Sequence, residues 1–285
     1  MEKIAIFALT RGYLNISDYS ALIQRNISIK SNLSPVMLDS VELLLFHEGN
    51  IGLDQQSEIQ RLSNCAVKFI SIADSYQNWN DSNPYNEYIG AKDSFLVKAT
   101  TRDMDTGIPW STGYRNMCHF YALLSVVILG RLGYSHALRI DEDCIITSSL
   151  DQIFHEISNH PDSLIGTPAM FEESHKLTNT ILPNFLRLTQ LNYVQDWQEK
   201  YGANSPMVYS NVNLYYIDNI LKNPSCVHFY KILNESGVIH RCRLGDAPLL
   251  FWLSQLKSNS LNIINHLNYT HLSHQMSVAG GKVSQ

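Results

Sequence analysis

Charge is scarce in this chain. Lys, Arg, Asp and Glu make up 16% of its 285 residues, and 26 acids against 21 bases give a formal net charge of −5. No dense Lys/Arg cluster occurs, which excludes the basic patch expected of a nucleic-acid binder. Any phosphate ligand must therefore be met by individual arginines, backbone N–H groups or a metal. Cysteine is sparse too: Cys65, Cys118, Cys144, Cys226 and Cys242 are odd in number, irregularly spaced and without a C-x-x-C pair. That pattern argues against a structural zinc site and for reduced thiols in a cytoplasmic protein. A long apolar run is also missing. The longest, Tyr121–Gly130, is too short to cross a bilayer, and the sequence enters an apolar strand at Lys3 without a signal-peptide pattern. The expectation is a cytoplasmic protein with no transmembrane segment, any membrane contact being peripheral.

What is present supports a large core. Hydrophobic residues make up 45%, with 15 Tyr and 10 Phe, which excludes disorder. Lys3–Leu9, Val41–Phe46 and Val67–Ile72 read as buried strands. Ser17 or Asp18 caps a helix bearing Leu22, Ile23 and Ile27, and Asp54–Leu62 has helical character. Residues 78–109 read as an irregular loop forming part of a binding wall. Tyr114–Arg131 follows as a long buried helix, then a strand at Ser135–Ile140 and a helix from Ser148 or Ser149 through Ile157. Val212–Ile217 reads as a strand, Ile220–Ser236 and Asp246–Leu256 as helices, and Ile263–Leu267 as a last strand before a His-rich tail. Strands alternating with helices predict an α/β fold, a mostly parallel sheet covered by helices on both faces. Ligands of such sheets sit beyond the C-terminal strand ends. No linker divides the chain, so residues 1–285 are expected to form a single domain, 1–143 its nucleotide-binding part and 144–285 its acceptor-binding and catalytic part.

Several clusters can carry chemistry. A short apolar strand ends in Arg139-Ile140-Asp141-Glu142-Asp143. Adjacent carboxylates repel, and a divalent cation removes that penalty. Alternate residues on an extended end, Asp141 and Asp143, can reach one hard ion such as Mn²⁺ or Mg²⁺; the same run also reads as a solvated acidic turn before a helix. In Gly245-Asp246-Ala247-Pro248, Pro248 suits a first helical turn, and Asp246 is either a plain cap or a positioned carboxylate. His271, in Tyr269-Thr270-His271, can swing over a cleft as a metal ligand or lie on the surface. In Tyr114-Arg115-Asn116-Met117-Cys118-His119, Arg115 and His119 share a helix face, fit for phosphate or sugar hydroxyls or for an ordinary amphipathic start. Thr10-Arg11 follows the first strand, where α/β folds cradle nucleotides.

In this order the segments resemble the fungal α-1,2-mannosyltransferase family, glycosyltransferase family 15. The family's Tyr-Arg-x-Met-Cys-x-Phe is similar to Tyr114, Arg115, Met117, Cys118 and Phe120. Its Arg-Val-Glu-Pro-Asp is similar to Arg139–Asp143, its Ser-Asn-Phe-Glu to Ser210-Asn211-Val212-Asn213, its Gly-Asp-Ala-Pro to Gly245–Pro248, and its Tyr-Tyr-His to Tyr269-Thr270-His271. The likeness spans residues 110–272; the N-terminal third shares only strand pattern and Thr10-Arg11. The resemblance implies a GT-A (Rossmann-like) fold, a GDP-mannose donor, Mn²⁺ and retention of anomeric configuration.

Two departures matter. The family's candidate nucleophile falls on Asn213, and an amide cannot act as a carboxylate nucleophile. Either front-face attack without a covalent intermediate or another acid must serve. The family's membrane anchor and lumenal stem are also not found. The resulting expectation has Asp141 or Asp143 and His271 holding the cation, and Arg115 and Arg139 meeting the diphosphate. Thr10, Arg11 and Tyr114 belong to the donor site, with Arg11 near the base or ribose. Asp246 meets the hydroxyl of a glycan or other acceptor. The rival readings are a nucleotide-sugar hydrolase or nucleotidyltransferase, and a catalytically silent sugar-nucleotide-binding module, which Asn213 keeps in play.

Overall fold

The computed structural model describes residues 4–73, 112–173, 176–189, 204–242, 244–258 and 260–284. The expected loop at 78–109 lies outside them. Three apolar runs form parallel strands β1 (Ile4–Leu9), β2 (Val41–His47) and β3 (Lys68–Ser71), and β4 (His136–Ile140) joins β1 in parallel on its other side. The sheet then continues through β9 (Val212–Tyr216), β6 (Ile165–Thr167) and β10 (Leu261–Ile263), in the order β3-β2-β1-β4-β9-β6-β10. β9 runs antiparallel to both its neighbours, while β10 is parallel to β6. The fold is thus the expected α/β type with a mostly parallel sheet, and its strands come from both sides of residue 143.

The strands bury both faces, as parallel sheets require. Along β1, Ala5 and Phe7 enter one core with Phe46, Phe120, Tyr121 and Trp252, while Ile6 and Ala8 enter the other with Leu22, Leu45 and Ile59. Each fully buried large apolar side chain contributes about 1.5–3 kcal/mol of transfer free energy. The second core includes residues of α1 (Ser20–Ser31) and α3 (Leu53–Ser63); α2 (Pro35–Leu38) is a single turn between α1 and β2. The first is covered by α4 (Thr112–His119), α5 (Ser125–Arg131) and helices from the C-terminal half. The predicted helix at Tyr114–Arg131 is therefore present, but a π-helical turn (Phe120–Leu124) joins α4 to α5.

Other differences follow from local chemistry. A 3-10 turn (Ile16–Tyr19) precedes α1, so neither Ser17 nor Asp18 caps it. Its buried face runs Leu22, Arg25, Asn26 and Ile29, while Ile27 is 42% exposed. Polar residues on the inward face disguised the period. α6 (Gln152–Asn159) starts after Asp151, and the Ser148 hydroxyl instead accepts from the Asn268 N–H (2.8 Å). α7 (Lys176–Leu188) was not anticipated. The helix expected over Ile220–Ser236 is two, α8 (Ile217–Lys222) and α9 (Pro224–Ser236). Pro224 lacks an N–H and stands at a helix start, where Asn223 accepts from the N–H groups of Ser225 and Cys226. The strand predicted at Ile263–Leu267 ends at Ile263, and Ile264 and Leu267 turn into the core.

The C-terminal tail forms structure of its own. A second, antiparallel sheet takes β5 (Cys144–Ile146), β11 (Tyr269–His271), β12 (Met276–Ala279) and β13 (Lys282–Ser284), with β11 between β5 and β12. A ribbon of β7 (Met170–Glu172) and β8 (Pro206–Val208) stands beside α11 (Asp246–Ser254), which follows α10 (Val238–Cys242).

Candidate active site

The turn Asp141-Glu142-Asp143 leaves β4 of the large sheet and enters β5 of the small one. It lies at the C-terminal ends of β1 and β4, where parallel sheets collect ligands. Because β9 is antiparallel, its entry residues Ser210 and Asn211 reach the same edge. There a cavity of about 420 Å³, within the usual range for small-molecule sites, is lined by Tyr114, Tyr121, Arg139, Asp141, Asp143, Asn211, Asp246 and His271 among others.

Arg139 organises its floor. The side chain is almost fully buried, and its guanidinium lies over the Tyr121 ring, 3.3 Å from the centroid. Nε and Nη2 donate to the two oxygens of Asp141 (2.7 and 2.8 Å), and Nη1 donates to Asp246 Oδ2 (2.5 Å). Burial alone would weaken this guanidinium, but Asp141 and Asp246 overcome that and raise its pKa well above normal. Burial likewise raises the Asp141 carboxyl, with Arg139 pulling the other way. A bidentate pair is the strongest geometry available here.

Asp246 is the first helical residue of α11, and Gly245 is the N-cap. The capping reading of Asp246 is thereby corrected: its side chain turns to Arg139 rather than back to its own helix. Behind β4 stands a buried cation that the sequence did not suggest. Arg25 donates from Nε to the Ile140 carbonyl (2.8 Å) and so fixes the strand end just before the acids; burial lowers its pKa to about 10, which leaves it charged at neutral pH.

Asp143 finds its partners on the small sheet and the turn after it. Pairing of β5 with β11 sets His271 opposite Cys144, and His271 Nε2 comes within 3.2 Å of Asp143 Oδ2. Ser273 donates to the same oxygen. Burial acts to raise the Asp143 carboxyl, but the bonds from His271 and Ser273 prevail and hold it below its ordinary value. The Tyr209 hydroxyl meets His271 Nδ1 (3.1 Å), and Asn211 Nδ2 lies 3.4 Å from Asp141 Oδ2 and from His271 Nε2. The donor atoms of Asp143, Cys144 and His271 all lie within 4.8 Å of one another. One carboxylate, one imidazole oriented through its second nitrogen and one thiol form a set that fits a divalent cation. His271 is thus brought to Asp143 and not to Asp141.

The remaining residues singled out from the sequence stand around this centre. Tyr114 lines the cavity. Thr10 is buried and donates to Glu142 (2.5 Å), which also accepts from Tyr13 (2.9 Å), while Arg11 stacks on the Tyr13 ring. Thr10 and Arg11 thus border the acidic turn without lining the cavity. Arg115 points elsewhere, donating to the His240 carbonyl (2.5 Å), and His119 is buried with its ring 5.1 Å from that of His240. Asn213, opposite Arg139 in the β4–β9 register, is fully buried and does not line the cavity.

Solved structures share this architecture. Core-mannan synthase A of Aspergillus fumigatus, in its Mn/GDP form, superposes with a TM-score of 0.67 at 12% identity, covering 95% of this chain and 75% of that one. The mannosyltransferase Ktr4p of S. cerevisiae gives 0.63 at 17%, covering 95% and 70%, and has also been solved with GDP. This is a glycosyltransferase fold. Mouse xyloside xylosyltransferase 1 matches more distantly, at 0.50 and 13%, over 92% of this chain and 85% of that one. No family model and no curated protein matches the chain. At these identities the likeness is one of fold.

The glycosyltransferase fold sharpens what the sequence had missed. Tyr121 sits in an apolar run, yet Tyr114, Met117 and Tyr121 recur at i, i+3 and i+7, one helix face pointed at the cavity. Tyr209, Asn211 and Cys144 flank noted motifs, but only the strand pairing reveals them.

Proposed function

We propose that the chain is a glycosyltransferase that moves a sugar from a nucleoside diphosphate donor, GDP-mannose, to the hydroxyl of a glycan or other acceptor, with a divalent cation held at Asp143 and His271. The observation that carries this reading is the single cavity onto which Asp143, His271, Arg139 and Asp246 converge at the C-terminal strand edge. When bound, a cation supplies a Lewis acid that neutralises charge on the leaving diphosphate. The chain's own groups do the rest. Asp143 and His271 hold the ion, with Tyr209 fixing the imidazole. Arg139 fixes Asp141 and Asp246 through one N–H of each nitrogen, which leaves two of its five N–H groups to meet phosphate. Asp246 spends Oδ2 on Arg139 and faces the cavity, where it orients the acceptor hydroxyl and takes its proton. An amide at 213 forms no glycosyl ester, so retention requires either attack from the donor's front face or another acid as nucleophile.

The test is a thermal-shift screen of GDP-mannose, GDP-fucose, UDP-glucose and UDP-N-acetylglucosamine with Mn²⁺. A donor at 100 times its dissociation constant stabilises by about 2.7 kcal/mol, and the reading predicts the largest shift for GDP-mannose. A clear preference for a uridine nucleotide would contradict the donor assignment.

A further inference from the structure

The pairing that carries His271 to Asp143 also brings in a sulfur. Cys144 follows Asp143 directly and stands opposite His271 in the β5–β11 register, which puts the two side chains on one face of the small sheet. Both are buried, Cys144 completely and His271 to 4% exposure. The Tyr209 hydroxyl can accept from Nδ1–H of His271, the tautomer that leaves the Nε2 lone pair for a metal. A tetrahedral ion about 2.3 Å from sulfur and about 2.0 Å from nitrogen and oxygen needs its donors about 3.5 Å apart. The three donors already lie within 4.8 Å of each other, so a small closure makes a site.

We propose that Cys144 Sγ is a third protein ligand of the cation, and that the site therefore selects a borderline ion such as Zn²⁺ or Co²⁺ over Mn²⁺ and Mg²⁺. The inference rests on the reading of Asp143 and His271 as a cation site. Sγ bonds to the metal as the Sγ–H proton leaves to solvent; nothing is oxidised or reduced. Hard ions seek oxygen, and this set offers one carboxylate beside an imidazole and a thiolate, which suits the softer ions.

The test uses the whole chain, stripped by chelator and reloaded. Co²⁺ should give a near-ultraviolet thiolate-to-cobalt band at one ion per chain. The band should vanish in Cys144→Ser and His271→Ala and persist in Cys65→Ser. Cys144→Ser should weaken Zn²⁺ binding at least about tenfold while leaving Mn²⁺ within about threefold, as loss of a soft ligand predicts. X-ray absorption of the unaltered Zn²⁺ protein, which needs no variant, should show a metal–sulfur shell near ~2.3 Å. Ions bound without a sulfur shell, or a band that survives Cys144→Ser, would overturn the inference and leave the donor reading standing. Failure of every ion to bind would remove both.

Discussion

In the candidate site one buried guanidinium is shared between two carboxylates. Each of the three nitrogens of Arg139 faces a carboxylate oxygen, so two acids share one cation: losing Arg139 would leave both carboxylates uncompensated in a dry setting, whereas losing one acid leaves an ion pair. This changes what Asp246→Asn should do. With Gly245 as the N-cap, helix capping no longer protects the variant. The amide oxygen still accepts from Arg139, and Asp141 remains, so the stability loss should be about 2 kcal/mol, that of weakening one charged hydrogen bond. If Asp246 takes the acceptor's proton, kcat should fall at least about a hundredfold while donor affinity holds. Steady-state kinetics beside thermal unfolding separates the effects; unchanged turnover would remove Asp246 from the chemistry. The motif singled out Asp246 but not its partner Arg139, because a carboxylate at a helix start says nothing of which distant side chain it meets.

At the scale of elements, the contact between α4 and α10 carries a pH dependence. Burial pushes His119 well below its ordinary pKa, and burial with help from Arg115 lowers His240 from 6.5 to about 4. Below pH 6.5 the unfolded chain binds protons that the folded chain refuses. Stability from this contact is therefore complete above about pH 6.5 and is lost as pH falls toward about 4, by at most about 3 kcal/mol for His240. Melting temperature against pH should fall less steeply in His240→Gln; identical slopes would show that other groups govern this range. Elements were legible where their signal is local. β1 and β2 are continuous apolar runs, and α11 announces itself by Gly245 and Pro248. The break between α8 and α9 also has a local sign, Asn223-Pro224, but it is passed over when the apolar residues on both sides are read as one helix.

Over the whole molecule, the half of the sheet built from consecutive parallel strands could be read from alternation of strands and helices. Of the rest, β9 was readable as a strand but not its direction, and β5, β6, β10 and β11 have three residues each, too few to show a period. The reversal of β9 and the small sheet arise from pairings between distant segments. The site depends on those pairings: Asp143 and His271 meet only because β11 docks on β5. This is why the acids and the histidine were visible as candidates, while the division of labour, Asp143 toward His271 and Asp141 toward Arg139, was not. The most direct measurement of the central claim is a calorimetric titration of GDP into the chain with Mn²⁺ and after chelation, repeated in Asp143→Asn and His271→Ala. The account predicts that chelation and each substitution weaken GDP at least about tenfold, as loss of a metal ligand does, without unfolding the protein. Equal GDP affinity with and without the cation would contradict it.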